Sequence, residues 1–203
     1  MKESIHNKLM YHRLEMPFGK SWEEWTVLWW KWLFSIPREK NPAYDTTGKN
    51  FEINQSDTHV IFLTGTFKDS DGPASRHCIL PHEKAIFLPV INYSAEMADE
   101  HINSESQMQD EVRTNIDDLT RTEAFVDGIR LDLKDYRVHS PVFQVNLPEN
   151  NVAGLKAGIT EVVSDGYWLF LTPLPIGKHE IGIGGTCQSG TINIDAKYDL
   201  EIK

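Results

Sequence analysis

The pattern of apolar and polar positions is most distinctive in residues 21–42, which hold five of the six tryptophans. Ser21-x-x-Glu24 is a capping box, and Pro37 disfavours helical geometry in the residue before it, so the pattern predicts a helix that ends at Ile36. At about 100° per residue, two apolar faces form: Trp22, Trp25, Trp29, Trp32, Leu33 and Ile36 on one, and Val27, Trp30 and Phe34 on the other. A helix that is apolar nearly all round is buried on more than one side, so we expect a structural helix clamped against a sheet.

Two other interpretations of this helix stay open at the level of sequence, a membrane-interface anchor and an exposed aromatic binding surface. The polar strip carries Lys31 and no row of basic residues, which argues against the anchor. The segment is too short for a transmembrane helix and contains charges, so no membrane span is predicted.

Downstream of the helix, β-branched and aromatic runs between turn signals predict about eight short strands. Residues 59–65, 85–91 and 167–172 are expected to be buried on both faces, whereas residues 191–202 alternate and are expected to be half-exposed. Residues 95–122 are acidic, with apolar residues at helical spacing. This order predicts a mainly β (α+β) fold, an antiparallel β-sandwich of jelly-roll or immunoglobulin-like type with the N-terminal Trp-rich helix and a helical insertion around 95–122.

The length of 203 residues fits a single domain, predicted at residues 21–203 and preceded by a loosely held arm at residues 1–20. Residues 69–73 resemble half of a calcium loop, but Phe67 stands where the first aspartate would be needed. A plain turn is therefore predicted there. Asp165-Gly166 is likewise predicted to be a turn.

The net charge of −10 argues against nucleic-acid partners and anionic membranes, because both select basic surfaces. The first residues contain scattered charges and no apolar run, so no signal peptide is predicted and the expected location is the cytoplasm. Cys78 and Cys187 form either one disulfide or two buried thiols.

Motifs for a serine nucleophile elbow, a phosphate-binding loop or a zinc site are absent from the sequence. The candidate residues are therefore scattered ones. As catalytic groups we consider His77 or His179 as the acid/base and Asp165 as an orienting group, and as ligand-binding groups Tyr44, Asp45, Arg76, Asn92 and Trp168. Glu96, Asp99 and His101 belong to an oxygen-rich run that hard cations could use.

Three functional hypotheses follow from these candidates. The first is a soluble binding or interaction module that takes a small polar ligand and forms a homo-oligomer through the Trp-rich helix, without a cofactor. The second is a hydrolase or lyase acting on a small polar or sugar-like substrate, with a histidine as acid/base and Asp and Arg as orienting groups. The third uses a divalent metal in the acidic run at residues 92–101.

Six separated motifs between residues 21 and 185 resemble a family of uncharacterised bacterial proteins, many of them secreted. The motifs are SWxxW with WWxW in the helix, NP with DTTG at 41–48, FLTGT at 62–66, RHCILP at 76–81, FLPVIN at 87–92, and DGYW with PLPIGKHEI at 165–181. The resemblance implies a common fold unit and no particular activity.

The sequence departs from that family in two respects. Family members usually carry a second cysteine between the DTTG loop and the FLxGT strand, and here residues 49–55 contain none. The secretion signal is also missing. We therefore expect a cytoplasmic branch in which apolar packing of Phe51 replaces a disulfide, a hypothesis that a Cys78–Cys187 bond would exclude.

Overall fold

A computed structural model describes residues 9–67, 74–190 and 192–203 of the chain. The turn predicted at residues 69–73 and the first part of the predicted arm lie outside the described residues. The elements in chain order are α1 (Trp22–Phe34), β1 (Val60–Phe62), β2 (Ala74–Leu80), β3 (Ala85–Glu96), α2 (Glu105–Asp117), β4 (Leu119–Val126), β5 (Ile129–Arg130), β6 (Arg137–His139), β7 (Phe143–Leu147), β8 (Gly158–Leu171), β9 (Gly177–Cys187) and β10 (Asn193–Ile202).

The strands form two mixed sheets of five strands each. The first has the order β1-β3-β8-β6, with β7 also paired to β8, and the second has the order β2-β10-β9-β4-β5. The pairs β1–β3 and β2–β10 are parallel, and the others are antiparallel. The predicted antiparallel arrangement is therefore wrong for one pair in each sheet, because side-chain alternation reveals a strand but not the direction of its partner.

The first sheet is covered on both faces. On one face its side chains share a hydrophobic cluster with the second sheet, and this cluster includes Leu88, Leu169, Ile181 and Tyr198. On the other face they share a cluster with α1, which explains why residues 60–62, 85–91 and 167–171 form apolar runs.

Helix α1 is buried as its apolar pattern predicts, since none of its five indole side chains is more than 5% exposed. Both hydrogen bonds of the predicted capping box are present: Glu24 N donates to Ser21 Oγ at 3.2 Å, and Ser21 N donates to the Glu24 carboxylate at 2.7 Å. The regular helix ends at Phe34, two residues before the predicted end. In the part of the chain that the structure describes, no helix is long and apolar enough to cross a membrane.

The helical insertion is one helix, α2, which buries Met108, Val112 and Ile116. The turn predicted at Asp165-Gly166 is wrong, because both residues lie inside β8. Gly166 is required for a different reason: a Cβ there would lie 2.5 Å from the carbonyl oxygen of Ile91 on the neighbouring strand.

The described part of the predicted arm lies along β8. Tyr11 N donates to the Phe170 carbonyl at 2.8 Å, and Thr172 N donates to the Leu9 carbonyl at 3.1 Å. The ring of Tyr11 also meets Phe170 edge-on, with centroids 5.1 Å apart. Residues 9–11 are thus held by backbone hydrogen bonds rather than loosely.

Candidate ligand-binding cavity

A cavity of about 270 Å³ lies between α1, the C-terminal half of β3, the segment after β1 and the start of β10. We call it the Trp30 cavity. Ligand pockets commonly measure about 300–1,000 Å³, so this volume limits an occupant to a small molecule.

Helix α1 supplies the aromatic wall of the cavity. Trp30 and Phe34, which form its second apolar face, lie with ring centroids 5.0 Å apart. Trp29 meets Trp30 edge-on at 4.9 Å. These rings are held by one another and by the sheet, so the wall is already formed before any ligand enters.

Two N–H donors among the lining residues have no hydrogen-bond partner within the described chain. They are Nε1 of Trp30 and Nδ2 of Asn92, and both nitrogen atoms are buried. Other indoles of α1 are satisfied: Trp29 Nε1 donates to the Leu63 carbonyl and Trp32 Nε1 to the Ile53 carbonyl, each at 2.7 Å. Since buried polar groups are nearly always paired, two unpaired donors at one cavity call for an explanation.

Glu96 brings a carboxyl group to the cavity at the end of β3. Burial raises the pKa of Glu96 to about 7. The hydrogen bond that its Oε1 accepts from Ser94 Oγ at 2.6 Å opposes the rise, whereas the nearby carboxyls of Asp99 and Glu111 add to it. The group therefore changes charge close to neutral pH.

Tyr93 links the cavity to α2. Its hydroxyl donates to the Glu111 carboxylate at 2.9 Å, and burial, together with this bond, raises the pKa of the tyrosine. Tyr93 is thus a neutral donor committed to Glu111, and the polar chemistry available in the cavity comes from its neighbours.

Four of the five predicted binding residues are divided among three places. Asn92 lies at the Trp30 cavity. Trp168 is fully buried behind the cavity wall, stacked on Phe87 at 5.0 Å and meeting Trp29 at 5.1 Å. Tyr44 and Asp45 line a separate, shallow polar groove.

Asp45 organises its own loop. One carboxylate oxygen accepts from the backbone N–H and the hydroxyl of Thr47, and the other accepts from Asn50 N. Burial alone would raise the pKa of Asp45, but these hydrogen bonds and the positive charge of Arg76 hold it below its usual value. The carboxylate is thus committed to the turn that the DxxG pattern predicts.

Arg76 is buried and links several segments of the chain through hydrogen bonds. Its guanidinium donates to the carbonyls of Asp45, Thr64 and Gly65 at 2.7, 2.5 and 3.0 Å. It also donates to the Tyr198 hydroxyl at 2.6 Å. Each of the three guanidinium nitrogens thus donates to an acceptor of the protein itself.

The predicted catalytic residues lie apart from one another. His77 is exposed on β2, while His179 lies between the Asp127 carboxylate at 2.7 Å and the Pro175 carbonyl at 2.9 Å. Asp165 is buried and forms a bidentate pair with Arg137. None of these three lines the Trp30 cavity.

The predicted metal ligands do not converge either. Within the described residues, no group of three or more His, Cys, Asp and Glu side chains could hold a metal ion. Asp99 accepts from the backbone N–H of His101 at 2.9 Å, and the His101 side chain is exposed. Glu96 accepts from Ser94 instead.

Cys78 and Cys187 are both buried, and neither forms a disulfide among the described residues. Burial raises the pKa of the Cys78 thiol to about 12, so it is unreactive near neutral pH. Phe51 belongs to the same hydrophobic cluster as Cys78, in agreement with the hypothesis that apolar packing takes the place of a disulfide.

Sequence reasoning missed Trp30 and Ser94 as members of the site. The available signal for Trp30 was the second apolar face of α1, which the pattern showed but which we assigned to burial alone. Ser94 carried no signal, because its position beside Glu96 depends on β3 continuing to residue 96.

Comparisons with protein-family models, with curated proteins and with solved structures found no match. The cavity and its chemistry are therefore the basis for a functional assignment.

Proposed function

We propose that the chain is a binding module that holds a small polar ligand in the Trp30 cavity. The observation that carries the proposal is the pair of unsatisfied buried donors, Trp30 Nε1 and Asn92 Nδ2. Each unsatisfied donor costs about 1–3 kcal/mol. A ligand with acceptor oxygens would remove this cost while its apolar atoms pack on the indole wall.

The same proposal includes the type of β-sandwich, the cellular location, the absence of a nucleic-acid partner and the oligomeric state. Two packed sheets support a sandwich of jelly-roll or immunoglobulin-like type, and two buried cysteines that form no disulfide among the described residues support a cytoplasmic location. The net charge of −10 supports a function without nucleic acid. A homo-oligomer formed through α1 would use its exposed strip around Lys31, since the indoles are buried within one chain.

An enzyme is the second candidate, and Glu96 is the observation that favours it. Catalytic acids and bases act best when their pKa lies near the working pH, and Glu96 meets that condition in a cleft. A hydrolase or lyase acting on a small polar or sugar-like substrate would use Glu96 in place of the dispersed histidines. Turnover of chromogenic glycosides or esters that Glu96→Gln abolishes would support this alternative.

Saturation-transfer NMR tests the binding proposal with a mixture of small amines, polyols and carboxylic acids as probes. We expect at least one probe to bind the native protein and to be lost in Ala153→Trp, which fills the cavity from its lining. The matched control, Ala98→Trp, adds the same side chain at an exposed position that is not among the lining residues. Binding that survives Ala153→Trp, or no binding at all, would overturn the proposal.

A further inference from the structure

We propose that the ligand of the Trp30 cavity is a small organic cation with an oxygen acceptor, an alkylammonium or quaternary ammonium compound whose charge lies against Glu96 and the aromatic wall. This inference rests on the proposed function and adds the chemical class of the ligand.

The charge of the cavity selects against anions. Glu96 is the one charged side chain among the described residues that line it. Two further carboxyls, Asp99 and Glu111, act on Glu96 from the turn after β3 and from α2. An anionic ligand would be repelled by all three groups, whereas a cation would be attracted to them.

The aromatic wall suits the same class. Trp29, Trp30 and Phe34 stand on one side, and Phe67 and Tyr93 also line the cavity. The face of an aromatic ring attracts a cation within about 6 Å of its centroid, and quaternary ammonium groups are commonly bound by several such rings. Neutral polyols can also stack on indole rings and donate hydrogen bonds to the carboxylate, but they bring no positive charge to balance it.

The unpaired donors of two lining residues favour a ligand that also carries an acceptor. Trp30 Nε1–H and Asn92 Nδ2–H both require acceptors, which an ammonium group lacks. A hydroxyl or carbonyl oxygen a few bonds from the nitrogen would supply them. An amino alcohol or a choline-like compound combines both features within a volume of about 270 Å³.

Binding of a cation should be coupled to a proton. The groups that face Glu96 are Ser94, Asp99, Glu111 and, through Glu111, Tyr93. Because the pKa of Glu96 is about 7, the carboxyl is largely protonated at lower pH and must lose its proton before it can pair with the ligand. Affinity should therefore fall about tenfold per pH unit below that value and level off above it.

Isothermal titration with choline and ethanolamine between pH 5.5 and 8 tests this inference, with the neutral carbon isostere of choline and inositol as comparison probes. We expect choline to bind most tightly above about pH 7, and to release a proton, seen as a buffer-dependent heat, when it binds below that pH. Glu96→Gln keeps the shape and the acceptor for Ser94, and should weaken binding at least tenfold and remove the pH dependence. The control Glu100→Gln removes a carboxylate from an exposed neighbour and should bind like the native protein.

Each other outcome has a defined meaning. If the neutral isostere binds the native protein as tightly as choline, or Glu96→Gln leaves choline affinity unchanged, the cation assignment is wrong. If inositol binds and Ala153→Trp abolishes that binding, the ligand class is wrong while the binding function holds. If no probe binds, and soaked crystals show only water beside Trp30, both proposals fail.

Discussion

At the scale of single residues, the indole N–H groups of α1 differ in whether they have a hydrogen-bond acceptor. Trp32 donates to the Ile53 carbonyl, whereas Trp30 has no partner in the described chain although only 3% of it is exposed. The two residues are two positions apart and equally aromatic. Substituting each of them therefore allows the contribution of a structural indole hydrogen bond to be compared with that of an unpaired indole N–H.

The substitutions Trp30→Phe and Trp32→Phe remove the same atoms, but they should lower the free energy of unfolding by different amounts. Both lose packing, but only Trp32→Phe leaves a carbonyl oxygen without its donor, so we expect it to lower the free energy of unfolding by about 1–3 kcal/mol more. Urea denaturation measures the difference. Equal losses would show that Trp30 Nε1 has a partner in solution.

The stability of the native state should depend on pH through Glu96. Its pKa is raised in the folded protein from 4.5 to about 7, so the native state binds the proton more tightly, and stability falls as pH rises through that interval. The loss amounts to roughly 2–3 kcal/mol after allowance for partial exposure. Glu96→Gln should therefore gain stability relative to the native protein at pH 8 but not at pH 4, as measured by denaturant titration at both values. A difference that does not change with pH would contradict the raised pKa.

At the scale of elements, the capping box is the feature that most directly determines where α1 begins. We expect Ser21→Ala to lower the free energy of unfolding by about 1 kcal/mol, because the N–H of Glu24 loses its acceptor. The exposed Ser56→Ala serves as control and should change stability by less than about 0.5 kcal/mol. Equal effects of the two changes in thermal unfolding would show that the cap contributes nothing.

The elements also show what a sequence can and cannot predict. Local signals were sufficient for α1, for α2 and for most strands, because capping and periodicity act within a few residues. They failed for Asp165-Gly166, where glycine is needed for close approach to Ile91 of another strand rather than for a turn. The parallel pairing of β2 with β10 joins residues about 120 positions apart, from Ala74↔Ala196 to Leu80↔Ile202. No local pattern records such a pairing.

At the scale of the whole molecule, Arg76 connects segments that are distant in sequence. From β2 it reaches the loop at Asp45, the segment at Thr64 after β1 of the first sheet, and Tyr198 on β10. We predicted a ligand-binding role for this residue, and the structure instead gives its guanidinium four protein acceptors. A buried cation with this many partners is expected to be costly to remove.

The substitution Arg76→Met should lower the free energy of unfolding by about 2–4 kcal/mol, because several buried acceptors lose their donor together. The adjacent His77→Gln changes an exposed side chain on the same strand and should have almost no effect. Chemical denaturation of both variants checks the prediction. A small loss in Arg76→Met would mean that water replaces the guanidinium.

The candidate site was predictable only in part, because long-range packing leaves no local pattern in the sequence. Asn92 and Glu96 were candidates because they are polar residues that follow a predicted buried strand. The cavity itself exists only when α1, β3 and β10 come together, and this depends on long-range packing. Trp30 and Glu96 are 66 positions apart in the chain, as their numbers in the sequence show, and both line the cavity.

The tryptophan cluster described above also has an optical consequence. Trp29 lies 4.9 Å from Trp30, 6.0 Å from Trp32 and 5.1 Å from Trp168, in edge-on geometry. Transition dipoles at such separations couple strongly, so the far-ultraviolet circular dichroism of this protein should contain an exciton couplet superimposed on the backbone bands. The amplitude of that couplet reports whether the helix is seated on its sheet, and a single spectrum can therefore follow tertiary packing without any added label.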